Sequence, residues 1–102
     1  MTVDNQPIDL IAHFTAKEGS VETVIELLLG YAEEVRAEPG NVIFEPHRKV
    51  EDGNDFVVVE RYADQAAFDA HLGGPANARF EQAVAPHRDG GVELMMLTPR
   101  LG

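Results

Sequence analysis

His71 is the side chain in this sequence best suited to chemistry. It closes the run from Asp64 to Leu72, DQAAFDAHL. That spacing predicts a short helix over Gln65 to Leu72, capped by Asp64, with Phe68 and Leu72 on its inner face. A histidine at the border of a buried face can take a proton from an acidic phenol or carbon acid near neutral pH. The plainer alternative is a packed histidine that bonds a backbone carbonyl and does not react. Glu60 and Tyr62 share a strand face with Phe56 and Val58 by the two-residue period of a strand. An acid on that apolar face needs a partner, and Arg48, Arg61 and Arg79 are the candidates. Glu60 could raise the basicity of a histidine, and Tyr62 could hydrogen-bond a substrate oxygen. A buried ion pair and simple core packing are the competing readings.

His13 lies on an early strand, on the face opposite Phe14. If Leu10 and Phe14 face the helices, His13 points away from them toward a subunit interface; otherwise it is a polar contact inside a pocket. His47 and His87 have no partner spacing and read as exposed. Phe44, Phe68 and Phe80, with Met95 and Met96, could line a pocket for a flat aromatic molecule, although a small core needs the same residues. The four histidines show no HxH, HxxxH or HExxH spacing and there is no cysteine, so no metal site is expected. Gly73-Gly74-Pro75 follows a helix rather than a strand, which argues against a phosphate-binding loop. The single serine, Ser20, is expected to start a helix, so a Ser-His-Asp triad has no nucleophile.

The elements that must hold these residues follow from periodicity. Ile8 to Thr15 alternates as a strand, with Ile8, Leu10, Ala12 and Phe14 on one face. From Val21 the period becomes helical, and Pro39-Gly40 ends that helix. Asn41 to Val50 is a second strand. Pro46 puts it at a sheet edge or gives it a bulge there. Glu51 to Asn54 turns the chain into a third strand, Asp55 to Tyr62. After the His71 helix comes a second short helix, Ala76 to Val84, with Phe80, Ala83 and Val84 inward. Pro86 to Gly91 reads as a loop, and Val92 to Arg100 as the last strand. The order β-α-β-β-α(α)-β is the split βαβ, ferredoxin-like α+β arrangement, an antiparallel sheet with helices on one face. The uncovered face still carries apolar residues, so a second copy is expected to cover it.

With 102 residues the chain fits a single domain over 1–102, its core about 8–100. Eight Lys and Arg stand against eighteen Asp and Glu, a net charge of −10. That charge disfavours nucleic acid and anionic lipid as partners. No apolar run approaches a membrane span and Met1 to Pro7 is polar, which together suggest a cytoplasmic protein.

Glu38-Pro39-Gly40 after a long helix, Glu60-Arg61-Tyr62-x-Asp64 at a strand end, then Ala67 and His71-Leu72, together resemble the antibiotic biosynthesis monooxygenase family. The resemblance runs from about Ile8 to Pro86. It implies a dimeric α+β barrel in which two such sheets pack together and each subunit keeps its own pocket. It also implies oxidation of a quinol, anthrone or similar polyphenol by dioxygen, without metal or flavin. His71 would then be the base and Tyr62 a donor, with His13, Phe44, Glu60, Phe68 and Phe80 contacting substrate. The same scaffold also serves isomerases and could serve as a non-catalytic binder of a small hydrophobic metabolite. The family's haem-degrading branch keeps an Asn, a Trp and an iron-binding His where this chain has Ala12, His71 and Val84, so haem breakdown is not expected.

Overall fold

The computed structural model describes residues 6–98 and residue 101. The elements are β1 (Ile8–Ala16), α1 (Val21–Arg36), β2 (Asn41–Arg48), β3 (Asp55–Tyr62), α2 (Gln65–Leu72), α3 (Pro75–Val84) and β4 (Arg88–Leu97), with a 3-10 turn at Ala85–His87 before β4. The strands form one antiparallel sheet in the order β2-β3-β1-β4. This is the ferredoxin-like α+β fold.

Alternation decides what each face of the sheet meets. Leu10, Ala12 and Phe14 of β1 and Phe56, Val58, Glu60 and Tyr62 of β3 are buried. They face α1, whose inner stripe is Val24, Leu28, Tyr31, Ala32 and Val35. Phe14 stacks on Phe56 with ring centroids 5.3 Å apart. β2 is the edge strand that Pro46 requires. Its bulge lies between Asn41 and Ile43 rather than at Pro46. The extra residue brings Phe44, and not Ile43, opposite Glu60.

The helices cover β2, β3 and β1 but leave β4 bare. Leu94 and Met96 pair with Ala12 and Leu10 on the helix side, while Met95 and Leu97 pair with Ile11 and Asp9 on the other. All four are exposed. Asp64 caps α2 as expected, accepting from the Ala67 amide at 2.8 Å, and Pro75 occupies the first turn of α3 where its missing N–H costs nothing.

Several local expectations are corrected. Ser20 makes no side-chain cap; its hydroxyl meets His87 Nδ1 at 3.2 Å, so His87 is half-buried rather than free. β4 starts at Arg88, not Val92, because pairing resumes at Ala16 and Thr15 through a register shift, helped by Gly90 at φ +82°. On α2 the inward pair is Phe68 and His71, while Leu72 is exposed, and Ala83 of α3 also faces outward. β2 ends at Arg48. The last strand's expected end at residues 99–100, and residues 1–5, lie outside the described residues.

Candidate active site

A cavity of about 150 Å³ opens between the covered face of the sheet and α1, α2 and α3. Its apolar walls include Leu10, Phe44, Phe68 and Phe80. Val92 and Leu94 of the bare strand β4 line it too, and both are exposed, which marks that side as the mouth. A cavity of this volume takes one aromatic ring.

Three elements converge on His71. The Pro39-Gly40 turn presses against α2 so closely that a side chain at Gly40 would strike Ala67. The Ala63 amide also donates to the Gly40 carbonyl at 2.8 Å. This contact brings Glu38 to His71, with Oε1 2.9 Å from Nδ1. On the other side of the ring, Nε2 lies 3.2 Å from the Tyr31 hydroxyl of α1. Tyr31 in turn donates to Asn77 Oδ1 of α3 at 3.0 Å. The Asn77 amide nitrogen donates to the Leu72 carbonyl at 3.0 Å, which turns its oxygen toward Tyr31.

Counting protons along this chain fixes its direction. Tyr31 has one proton and gives it to Asn77, so its oxygen accepts from His71 Nε2–H. His71 therefore presents no free lone pair to the cavity. Both ring nitrogens are thus engaged, Nδ1 by Glu38 and Nε2 by Tyr31. Burial, and then the charges of Glu60 and the other nearby carboxylates, push the Tyr31 hydroxyl well above the ordinary tyrosine range, so it stays a donor.

Glu60 is buried at 6% exposure between Leu10 of β1 and Phe44 of β2, its cross-strand partners. Tyr62 donates to its Oε1 at 2.7 Å. The arginines proposed as partners are committed elsewhere. Arg61 holds Asp9 at 2.6 Å, Arg79 holds Glu34, and Arg48 bonds the Gly53 carbonyl at 2.8 Å. Without a cation, burial pushes the Glu60 carboxyl up to about 7, a rise that the Tyr62 hydrogen bond opposes and the Glu38 charge reinforces. Tyr62 is fully buried and spends its proton on Glu60. Its ring packs on His71 with centroids 4.8 Å apart. Its hydroxyl proton is thus committed to Glu60, and the residue does not line the cavity.

Phe44, Glu60, Phe68, Phe80 and His71 come together at one cavity. His13 does not. Leu10 and Phe14 face the helices, so His13 points from the opposite face beside Glu93 and does not line this cavity. Met95 faces away likewise. Sequence reasoning did not single out Tyr31 or Asn77. Glu38 was visible only within its motif.

The antibiotic biosynthesis monooxygenase family model matches residues 7–83. The chain belongs to the antibiotic biosynthesis monooxygenase family. A crystal structure of a Pseudomonas aeruginosa protein superposes with TM-score 0.87 at 27% identity, covering 97% of this chain and 98% of that one. A Mycobacterium tuberculosis protein does so with TM-score 0.87 at 25% identity, covering 95% and 98%. A structure named antibiotic biosynthesis monooxygenase, at 21% identity and TM-score 0.86 over 92% of this chain and 99% of that one, shares the fold. No curated protein matches the sequence.

Within the family's haem-degrading pattern, Ala12 and His71 line the cavity here. Val84 is fully buried in the core, where it offers nothing to iron. Among the described residues no group of three or more His, Cys, Asp or Glu is placed to hold a metal ion. No helix among them is long and apolar enough to cross a membrane.

Proposed function

We propose that this family member is a cytoplasmic, cofactor-independent monooxygenase that oxidises a quinol, anthrone or similar polyphenolic small molecule with dioxygen. The observation that carries the reading is a ring-sized apolar cavity into which one hydroxyl donor, Tyr31, and one cation-free carboxylate, Glu60, both project. A polyphenol that loses a proton becomes electron-rich enough to react with dioxygen directly. The cavity would seat one ring against Phe44, Phe68 and Phe80 and leave a second ring at the mouth beside Val92 and Leu94. Tyr31, held in place by His71 Nε2, would turn its one proton from Asn77 Oδ1 to the developing oxyanion when substrate binds.

The open sheet face, with Ile11, Val57 and Val59 half-buried and Met95 and Leu97 exposed, is proposed to pack on a second copy as a two-fold homodimer. Light scattering showing a stable species of 11.2 kDa at micromolar concentration would overturn the dimer.

The activity is tested by oxygen uptake with a panel of quinols and anthrones before and after exhaustive chelation. Uptake that depends on the protein and survives chelation is expected. Loss of turnover restored by one specific metal would overturn the cofactor-independent reading. Ligands that raise the melting temperature without turnover would favour a binder instead.

A further inference from the structure

Two carboxylates line the cavity, Glu60 and Glu81, and a third, Glu38, stands behind His71; only Glu60 is unclaimed by a basic group. Glu81 of α3 pairs with Arg88 at the start of β4 at 2.9 Å, and Glu38 pairs with His71 at 2.9 Å. Glu60 meets only the hydroxyl of Tyr62, and only at Oε1. Its second oxygen has no partner among the described residues, yet it is not among the sealed, unsatisfied atoms. It therefore faces reachable space, and the space it lines is the cavity. A carboxylate in an apolar wall with one free oxygen and no counter-charge is costly unless a ligand uses it.

We propose that Glu60 is the proton acceptor of this cavity, taking the acidic proton of a bound polyphenol on its free carboxylate oxygen, with Tyr62 as the residue that holds and tunes it. In that step the substrate O–H or C–H bond breaks, its electron pair stays on the substrate, and the proton bonds to the free Glu60 oxygen. The negative charge thus passes from the carboxylate to the substrate oxygen, to which the Tyr31 hydroxyl donates once its proton turns from Asn77. The charged and titratable groups around Glu60 are Tyr62 on its own strand, Tyr31 on α1, Glu38 in the following turn, His71 on α2, and the Glu81–Arg88 pair across the cavity. His71 is excluded as the acceptor because both ring nitrogens are engaged. The inference rests on the reading that the cavity takes an acidic polyphenol. It does not need that molecule to be oxidised.

The test is rapid mixing of the protein with dithranol, a dihydroxyanthrone, without oxygen, following the absorbance of the anion. Wild type should accelerate ionisation, with a rate that rises with pH through a midpoint near 7, where Glu60 loses its own proton. Glu60→Gln keeps the size and can still accept from Tyr62, and should lower that rate about 100-fold or more. Tyr62→Phe removes the hydrogen bond that favours the carboxylate, so its midpoint should move to higher pH. A merely structural tyrosine would leave the midpoint in place. Wild-type ionisation by a cooperatively melting Glu60→Gln protein, an unmoved midpoint in Tyr62→Phe, or no acceleration by wild type would each overturn the proposal. Ionisation without oxygen uptake on admitting air would instead refute the oxidation and leave Glu60 as the acceptor.

Discussion

On either side of the sheet a histidine stands beside carboxylates, His71 on α2 over the covered face and His13 on β1 at the bare one, and only His71 lines the cavity. His71 lies under α1 and α3 at 5% exposure, with Glu38 on one nitrogen and Tyr31 on the other. His13 lies on the bare face, with Glu93 3.1 Å from Nδ1 and Asp55 3.6 Å from Nε2, a nitrogen left without a hydrogen bond. Glu93 is 84% exposed and screened by solvent. Asp55 is held first by the Thr15 hydroxyl, at 2.6 Å, and by Lys49. Residue type and a neighbouring acid are therefore not what separates the two. The covered histidine is bonded on both nitrogens by groups from other elements and lines the cavity between sheet and helices; the bare one leaves Nε2 unbonded and lines only a surface groove with Ile11, Glu93, Leu94 and Met95.

The comparison makes its largest prediction for stability. The Glu60 carboxyl is raised in the folded chain from 4.5 to about 7. The folded state therefore binds the proton more tightly than the unfolded one, so this contribution is fully present below about pH 4.5 and is lost as pH rises through about 7. Glu60→Gln removes the titration. Relative to that variant, wild type should lose on the order of 3 kcal/mol between pH 4.5 and pH 8, read by denaturant unfolding at each pH. A parallel pair of stability curves would place Glu60 outside the covered, low-dielectric region.

Next in size is Tyr31→Phe, which keeps the ring stacked on Phe80 at 4.2 Å but removes the cavity's hydroxyl donor. Turnover of dithranol should fall about 100-fold with KM nearly unchanged. His71→Asn should cost less, about tenfold in kcat, because it acts through Tyr31. Its pH midpoint should stay where Glu60 sets it, and a midpoint that moved away with the histidine would return the role of base to His71. The smallest effect belongs to the bare face. His13→Asn should leave the rate of dithranol ionisation within about twofold, and a drop comparable to that of Tyr31→Phe would bring His13 into the site.

How much of this was legible depended on distance along the chain. β3 runs over Asp55–Tyr62 and α2 over Gln65–Leu72 as their periodicity predicts, because alternation and the Asp64 cap are local signals. Pro46 marked the edge strand for the same reason. The bulge that swings Phe44 opposite Glu60 left no mark in residue types, since it is a property of backbone pairing. The start of β4 was hidden because Arg88 to Gly91 reads as a polar, glycine-rich loop until β1 pairs with it. Phe44, Glu60, Phe68, His71 and Phe80, singled out by face and type, line one cavity. Tyr31 and Asn77 were not singled out, because their meeting joins positions 46 residues apart. The Glu38–His71 pair, 33 residues apart, depends on the close approach of Gly40 to Ala67, which only the packed chain displays.

The central claim, that chemistry belongs to the covered face, is tested most directly by titrating dithranol into isotope-labelled protein without oxygen and following the NMR resonances. The account predicts shifts concentrated on Tyr31, Phe44, Glu60, Phe68 and His71, with Ile11, His13 and Met95 unmoved. Shifts gathered on Ile11, His13 and Met95, with the cavity residues silent, would contradict it.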